Sequence, residues 1–214
     1  MPSSRAGPTT VGACGETAGS GDLKTRYGGV HMWREAIQRV LISEAELDRR
    51  IQALGRVIAR DYQGTELVFV AVLKGALMFS ADLARAVDLP LTIDYIALSS
   101  YGNRHVSSGR VDILKDLSES ITDKHVLIVE DIVDTGLSLH YLWNHLMSHH
   151  PADLNICTLL DKRARRQVEL PIKYRGFDVP DAFVVGYGLD YQQRYRNLPF
   201  VGTLHPEVFA QEPR

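Results

Sequence analysis

The segment Val126-Leu127-Ile128-Val129-Glu130-Asp131-Ile132-Val133-Asp134-Thr135-Gly136-Leu137-Ser138-Leu139 decides how this chain is read. Its four leading apolar residues predict a short strand that ends in two adjacent acids. In open α/β sheets, ligands bind just beyond the carboxyl ends of the strands. Carboxylates placed there cost desolvation unless something cationic or hydrogen-bonding meets them. The turn from Asp134 to Ser138 then feeds a helix. The helix N-terminal amides, with the Thr135 and Ser138 hydroxyls, form a cup for a phosphate. Gly136 lets the backbone approach such a ligand closely. Two rival readings of the same residues exist. Asp-Thr-Gly also occurs in aspartic proteases, but those are all-β and need two such aspartates, and the chain has one Asp-Thr-Gly and no Asp-Ser-Gly. A plain strand–turn–helix corner capped by Asp134 explains the turn but not the acid pair ahead of it.

The flanking sequence repeats the pattern of apolar run and helix. Leu67 to Leu73, Leu91 to Leu98, His125 to Val129 and Leu154 to Leu160 are short apolar runs of the kind buried on both faces of a parallel sheet. Helical patterns separate them at Ala76 to Val87 and Ser138 to His149. This alternation predicts an α/β fold with a mostly parallel, twisted sheet flanked by helices. Upstream, order is expected to begin near residue 42. Ser43 and Glu46 form a capping box, Ile42 and Leu47 a hydrophobic staple, and Ile51, Leu54, Val57 and Ile58 continue one apolar face. Phe183 to Tyr187 reads as a late short strand. The segment from about 161 onward is loop-rich and polar, and is expected to form a small hood over the end of the sheet.

Residues 1–30 read as a disordered tail ahead of one domain spanning 31–214. The run from Gly12 to Gly21 has almost nothing to bury, so it cannot offset the entropy of ordering. The residues leave open whether this is a native arm or upstream sequence ahead of a start at Met32. With 24 basic and 26 acidic residues, the net charge of −2 disfavours a general nucleic-acid binder. The two cysteines, Cys14 and Cys157, form neither a disulfide framework nor a metal-ligand spacing. No apolar run approaches the roughly 20 residues that span a bilayer, and no apolar signal region opens the chain. A cytoplasmic protein without membrane contact is expected.

The quoted segment resembles the phosphoribosyl-diphosphate signature of type I phosphoribosyltransferases: four apolar residues, two acids, two apolar residues, Asp-Thr-Gly, and a hydroxyl residue just beyond. Further matches follow in the family's order and point to its hypoxanthine-guanine branch, in wording to bacterial members. They are Leu73-Lys74-Gly75, Ser99-Ser100-Tyr101-Gly102, Asp161-Lys162-Arg163, and Phe183 through Tyr191 with Arg196. The resemblance covers roughly residues 38 to 207. It implies the type I phosphoribosyltransferase fold, the 6-oxopurine bases and phosphoribosyl diphosphate as substrates, and Mg²⁺ as cofactor. Assembly as a homodimer or homotetramer is implied too.

Residue roles are implied in the same way. Glu130 and Asp131 would face the ribose hydroxyls and Mg²⁺. Thr135, Gly136, Leu137 and Ser138 would hold the 5-phosphate. Asp134 would manage the proton at purine N7. Lys74, Gly75 and Arg196 would contact the diphosphate, with a cis peptide common at the first of these. Ser100 and Tyr101 would lie on a loop that closes over the site. Ile132, Lys162, Phe183, Val184 and Asp190 would surround the base: Lys162 at O6, Phe183 stacked on the ring, the Val184 backbone on the base edge. Asp190 would also carry a second Mg²⁺ through water. Each has a plainer reading beside it. Lys74 alone is a strand-end charge, Phe183 a core residue, and Lys162 part of a solvated basic run. Asp190 and Arg196 alone are loop caps or surface partners. His149, His150 and Trp33 match no part of the pattern and read as structural. A regulator that keeps this fold but binds RNA is the rival from another class, and it would need a basic face.

Overall fold

In the computed structural model, residues 35–100 and 111–210 are described. The predicted tail and Tyr101 lie outside them, and at Ser100 only the backbone is described. The chain runs β1 (Ile37–Ile42), α1 (Glu44–Asp61), β2 (Leu67–Leu73), α2 (Leu77–Ala86), β3 (Leu91–Ser100), β4 (Val111–Lys115) and β5 (His125–Val133). It continues through α3 (Leu137–Met147), β6 (Asp153–Asp161), a 3₁₀ turn (Arg163–Arg165), β7 (Ile172–Asp178), β8 (Val184–Val185), β9 (Val201–Leu204) and α4 (Pro206–Ala210).

Six strands form the central sheet in the order β4-β3-β2-β5-β6-β7. All pairings are parallel except β3 with β4. The expected mostly parallel sheet is therefore found. Its apolar runs are continuous because both faces are covered, and the period-2 alternation of side chains sorts them. Phe69, Ala71, Leu127, Val129, Cys157 and Leu159 pack in one cluster with α1 and α2. Val68, Val70, Val126, Ile128 and Ile156 pack in the other, beneath Leu139, Leu142 and Leu146 of α3.

Helix α1 begins as read. Ser43 and Glu46 form the reciprocal capping box, and Ile42 and Leu47 are buried in the same cluster. Val57 departs from the expected apolar face, at 38% exposed. It lies just outside the buried stripe made by Leu47, Ile51, Leu54 and Ile58.

Four expectations are corrected. Order begins before residue 42, because β1 pairs antiparallel with β9. The hood is thus built from both ends of the domain: β1, β9 and β8 form its sheet, with a core of Val185, Tyr191, Leu198, Phe200 and Leu204. The stretch after 161 is not all hood, since β7 joins the central sheet beside β6. Finally, β5 does not stop at Val129. Glu130, Ile132 and Val133 stay paired with Thr158, Leu160 and Asp161 of β6, so the acids lie within the last turns of the strand. The late strand read at Phe183 to Tyr187 shortens to Val184–Val185.

Candidate active site

The chain reverses its winding between β2 and β5: β3 and β4 lie on one side of this pair, β6 and β7 on the other. Pairing of β2 with β5 ends at Ala71 and Val129. Beyond that point β2 peels away and the flank of Glu130 and Asp131 opens, a switch point of the kind where open α/β sheets bind ligands.

Glycines make this corner possible. Asp131 is buried, and a Cβ on Gly75 would come 1.8 Å from its Oδ2. Gly188 packs behind, with φ +101°, and a Cβ there would stand 2.0 Å from the Gly75 carbonyl oxygen. The Leu73–Lys74 peptide is cis, as the resemblance implied. Burial and the neighbouring Asp131 charge push the Glu130 carboxyl well above its ordinary value, and burial raises Asp131 as well. Two adjacent carboxylates that resist ionisation in this way form an oxygen-donor set that fits a hard divalent cation.

Directly after β5, Gly136 takes a left-handed conformation at φ +85° as the N-cap of α3. The cup from Asp134 to Ser138 is held from outside by the 162–167 turn. Lys162 N donates to Val133 O at 2.9 Å, Gln167 N to Thr135 O at 2.9 Å, and Arg166 Nε to Asp134 O at 3.4 Å. Within the cup, Leu137 N donates to Thr135 Oγ1 at 3.4 Å, and Ser138 is exposed.

Beside the cup opens a cleft of about 880 Å³. Asp131, Ile132, Asp134, Lys162, Phe183, Val184 and Asp190 line it, so the structure brings the predicted base-side residues together. Lys162 is only 6% exposed, which overturns the solvated-run reading for it. Its Nζ lies 3.9 Å from Asp134 Oδ2. Phe183 is 50% exposed and so is no core residue; its ring meets Tyr191 and Phe209 edge-on at 5.8 and 5.5 Å. Val184 pairs with Thr203 while lining the cleft.

Lys74 and Arg196 converge on one acceptor, Gln193 Oε1, each at 3.2 Å. Arg196 also reaches Gly188 O at 2.7 Å and Asp190 Oδ1 at 2.8 Å. Asp190 is thus engaged by Arg196 on one oxygen and by the Gln193 amide on the other.

Sequence reading missed several site residues. Arg165 Nε lies 3.2 Å from Asp134 Oδ1, although no well-directed hydrogen bond reaches that buried oxygen. Asp181, Tyr191 and Phe209 also line the cleft. Outside the cleft lining, Asp161, quoted in the family-like run but given no role there, is 1% exposed and ringed by Arg163, Arg166 and Arg175. The basic run after Lys162 was its visible signal, since a buried aspartate needs such partners.

The strand–turn–helix corner excludes the all-β aspartic protease. A model of the phosphoribosyl transferase domain matches residues 40–192. A Bacillus subtilis hypoxanthine-guanine phosphoribosyltransferase is 47% identical over 178 residues, 83% of this chain and 99% of that one. A Listeria monocytogenes bifunctional protein TilS/HprT is 48% identical over 184 residues, 86% of this chain, and the chain spans 28% of that protein's length. The crystal structure of a Staphylococcus aureus hypoxanthine phosphoribosyltransferase superposes with a TM-score of 0.81 at 45% identity, over 84% of this chain and 98% of that one. With the acid pair, the cup after β5 and the cleft beside it meeting at one switch point, the chain belongs to the phosphoribosyl transferase family.

Proposed function

We propose that the chain transfers the ribose 5-phosphate group of phosphoribosyl diphosphate to hypoxanthine or guanine, forming the nucleoside monophosphate and diphosphate in purine salvage. One observation carries the reading. Asp134 belongs to both halves of the site: its carboxylate lines the base cleft beside Lys162, and the next residue begins the phosphate cup. In this reading one ligand fills both, and it joins a base to a phosphorylated sugar.

In this reading the amides of Thr135 to Ser138 and the Thr135 and Ser138 hydroxyls hold the 5-phosphate. Lys74, Gly75 and Arg196 receive the diphosphate. Lys162 donates to O6 of the purine, Phe183 stacks on its ring, and Ile132 and Val184 bound it. Asp134 accepts the N7 proton as the purine nitrogen bonds to C1′ and the C1′–diphosphate bond breaks. Positive charge grows on the sugar ring, and Glu130 and Asp131 lie where carboxylates stabilise it. These two, with Asp190, would hold Mg²⁺, which neutralises diphosphate charge when bound. Ser100 and Tyr101 would close over the site and exclude water. A cytoplasmic homodimer or homotetramer is the proposed form.

The test is purine-dependent consumption of phosphoribosyl diphosphate in Mg²⁺. Hypoxanthine or guanine should support it, and excess chelator should abolish it. No turnover with any 6-oxopurine would refute the reading and favour a fold kept for binding alone.

A further inference from the structure

The far end of α3 carries a second cluster that the phosphoribosyl chemistry does not use. Asp116, just after β4, His145 in the last turn of α3, and His149 in the turn that follows the helix each offer a ligand atom, and these atoms all lie within 4.8 Å of one another. His145 Nε2 stands 3.0 and 3.1 Å from the two Asp116 oxygens. The two imidazoles meet edge to face at 4.9 Å between centroids. The turn that closes α3, with the His149 amide on Leu146 O, brings the second ring back beside the first.

We propose that Asp116, His145 and His149 form a binding site for a borderline divalent transition cation such as Zn²⁺, separate from the acid pair of the active site. The donor set is two imidazoles and one carboxylate, with a fourth position left to water. Imidazole nitrogen suits Zn²⁺, Ni²⁺ and Co²⁺ and not Mg²⁺, so the two sites select different ions. Ligands at about 2.0–2.1 Å in a tetrahedron stand roughly 3.4 Å apart. The Asp116–His145 edge is already near that spacing, and only the longer edges must contract.

The surroundings favour this use. Asp116 Oδ1 accepts the Leu117 amide at 2.8 Å, which orients the carboxylate. The neighbouring Lys115 ammonium is spent elsewhere, on Asp94 Oδ1 at 3.3 Å, Tyr95 O at 2.7 Å and Asp116 O at 2.9 Å. On the helix side, the His149 carbonyl accepts the Thr122 hydroxyl at 3.1 Å, and the His149 amide donates to Leu146 O at 3.1 Å. Asp116 follows the antiparallel edge strand, His145 ends α3 and His149 lies in the turn after it, so a bound ion would clamp the strand's end to the helix's end.

The full chain is titrated with Zn²⁺ against a chromophoric chelator in saturating Mg²⁺, with the wild type, Asp116→Asn and His149→Gln side by side. Cys14 and His31 of the N-terminal segment are common to all three, so only differences are read. Loss of even an outer-sphere partner typically weakens a metal site about 10–100-fold. Each variant should therefore lose at least that much affinity. Zn²⁺ should raise the melting temperature of the wild type and not of the variants. Co²⁺ should give the visible absorption of a four-coordinate ion in the wild type alone. Both variants are conservative at partly exposed positions, and their melting curves without Zn²⁺ verify folding. If folded Asp116→Asn and His149→Gln bind Zn²⁺ as tightly as the wild type, the site does not exist and the cluster is an ion pair.

Discussion

Asp134 has Lys162 and Arg165 facing its two oxygens in the cleft, more than a plain turn residue needs. Replacing it with Asn keeps the turn and removes the proposed proton acceptor. Asp134→Asn should lower kcat about 10²–10⁴-fold, the usual loss of a positioned acid–base group, with little change in KM for phosphoribosyl diphosphate; a near-wild-type kcat would return Asp134 to a structural role. Lys162 makes a different prediction. A buried ammonium offers only donors, so it suits the O6 acceptor and faces adenine's amino group unpaired. Such a site can reject the mismatched base by about 10⁴-fold or more. Adenine should be a very poor substrate, and Lys162→Gln should lower kcat/KM for hypoxanthine and guanine while narrowing the gap to adenine. An unchanged preference in that variant would detach Lys162 from base choice.

The contact of Gly75 with Gly188 joins two loops that arrive from different parts of the chain. Gly188→Ala would drive a methyl into the Gly75 carbonyl and strain a left-handed backbone. Overpacking of this kind costs about 1–3 kcal/mol, so a lower melting temperature and a raised KM for phosphoribosyl diphosphate are expected from thermal and kinetic measurement. At the other edge, Asp94 pins β4 and the following loop to β3. Burial raises its carboxyl, but the Ser118 and Tyr95 amides and Lys115 outweigh burial and hold it below its ordinary value. The fold therefore prefers the anion, and this stability is present at neutral pH and lost as pH falls through the lowered value. Asp94→Asn should cost about 1.5–3 kcal/mol at pH 7, and denaturant midpoints should show the gap to wild type closing below about pH 4. These elements also show what could be read in advance. β2, β5 and β6 were legible because both faces are buried and the apolar run is unbroken. β7 was not, since Lys173 and Arg175 interrupt Ile172 and Tyr174, a half-buried alternation in a charged setting. β1 was missed for another reason: its partner, β9, lies at the opposite end of the domain.

At the scale of the molecule, the phosphate half of the site is local and was nearly complete in one quoted segment. The base half is assembled from β5, the 162–166 turn, the 181–192 loops and α4, and only a family resemblance could join those. Tyr191 lies in the family-like run but was given no role there, and Phe209 lies beyond the resemblance, so neither was read as a wall of the cleft. Removing residues 1–30, whose large apolar side chains are few and scattered (Met1, Val11, Leu23, Tyr27 and Val30), should leave kcat and melting temperature nearly unchanged; a fall of several degrees would show that this segment packs on the domain or on another subunit. The pairing of β1 with β9 has a further consequence, for the order in which the protein is made. Domains begin to fold as they emerge during synthesis, and contacts between distant segments wait for both partners. The central sheet and its phosphate cup are encoded by residue 178, yet β1 must idle until residue 201 has emerged. A nascent chain stopped in that interval, or a gene truncated there, would leave a molecule that still carries the cup after β5 but has no roof over the cleft proposed to take the base.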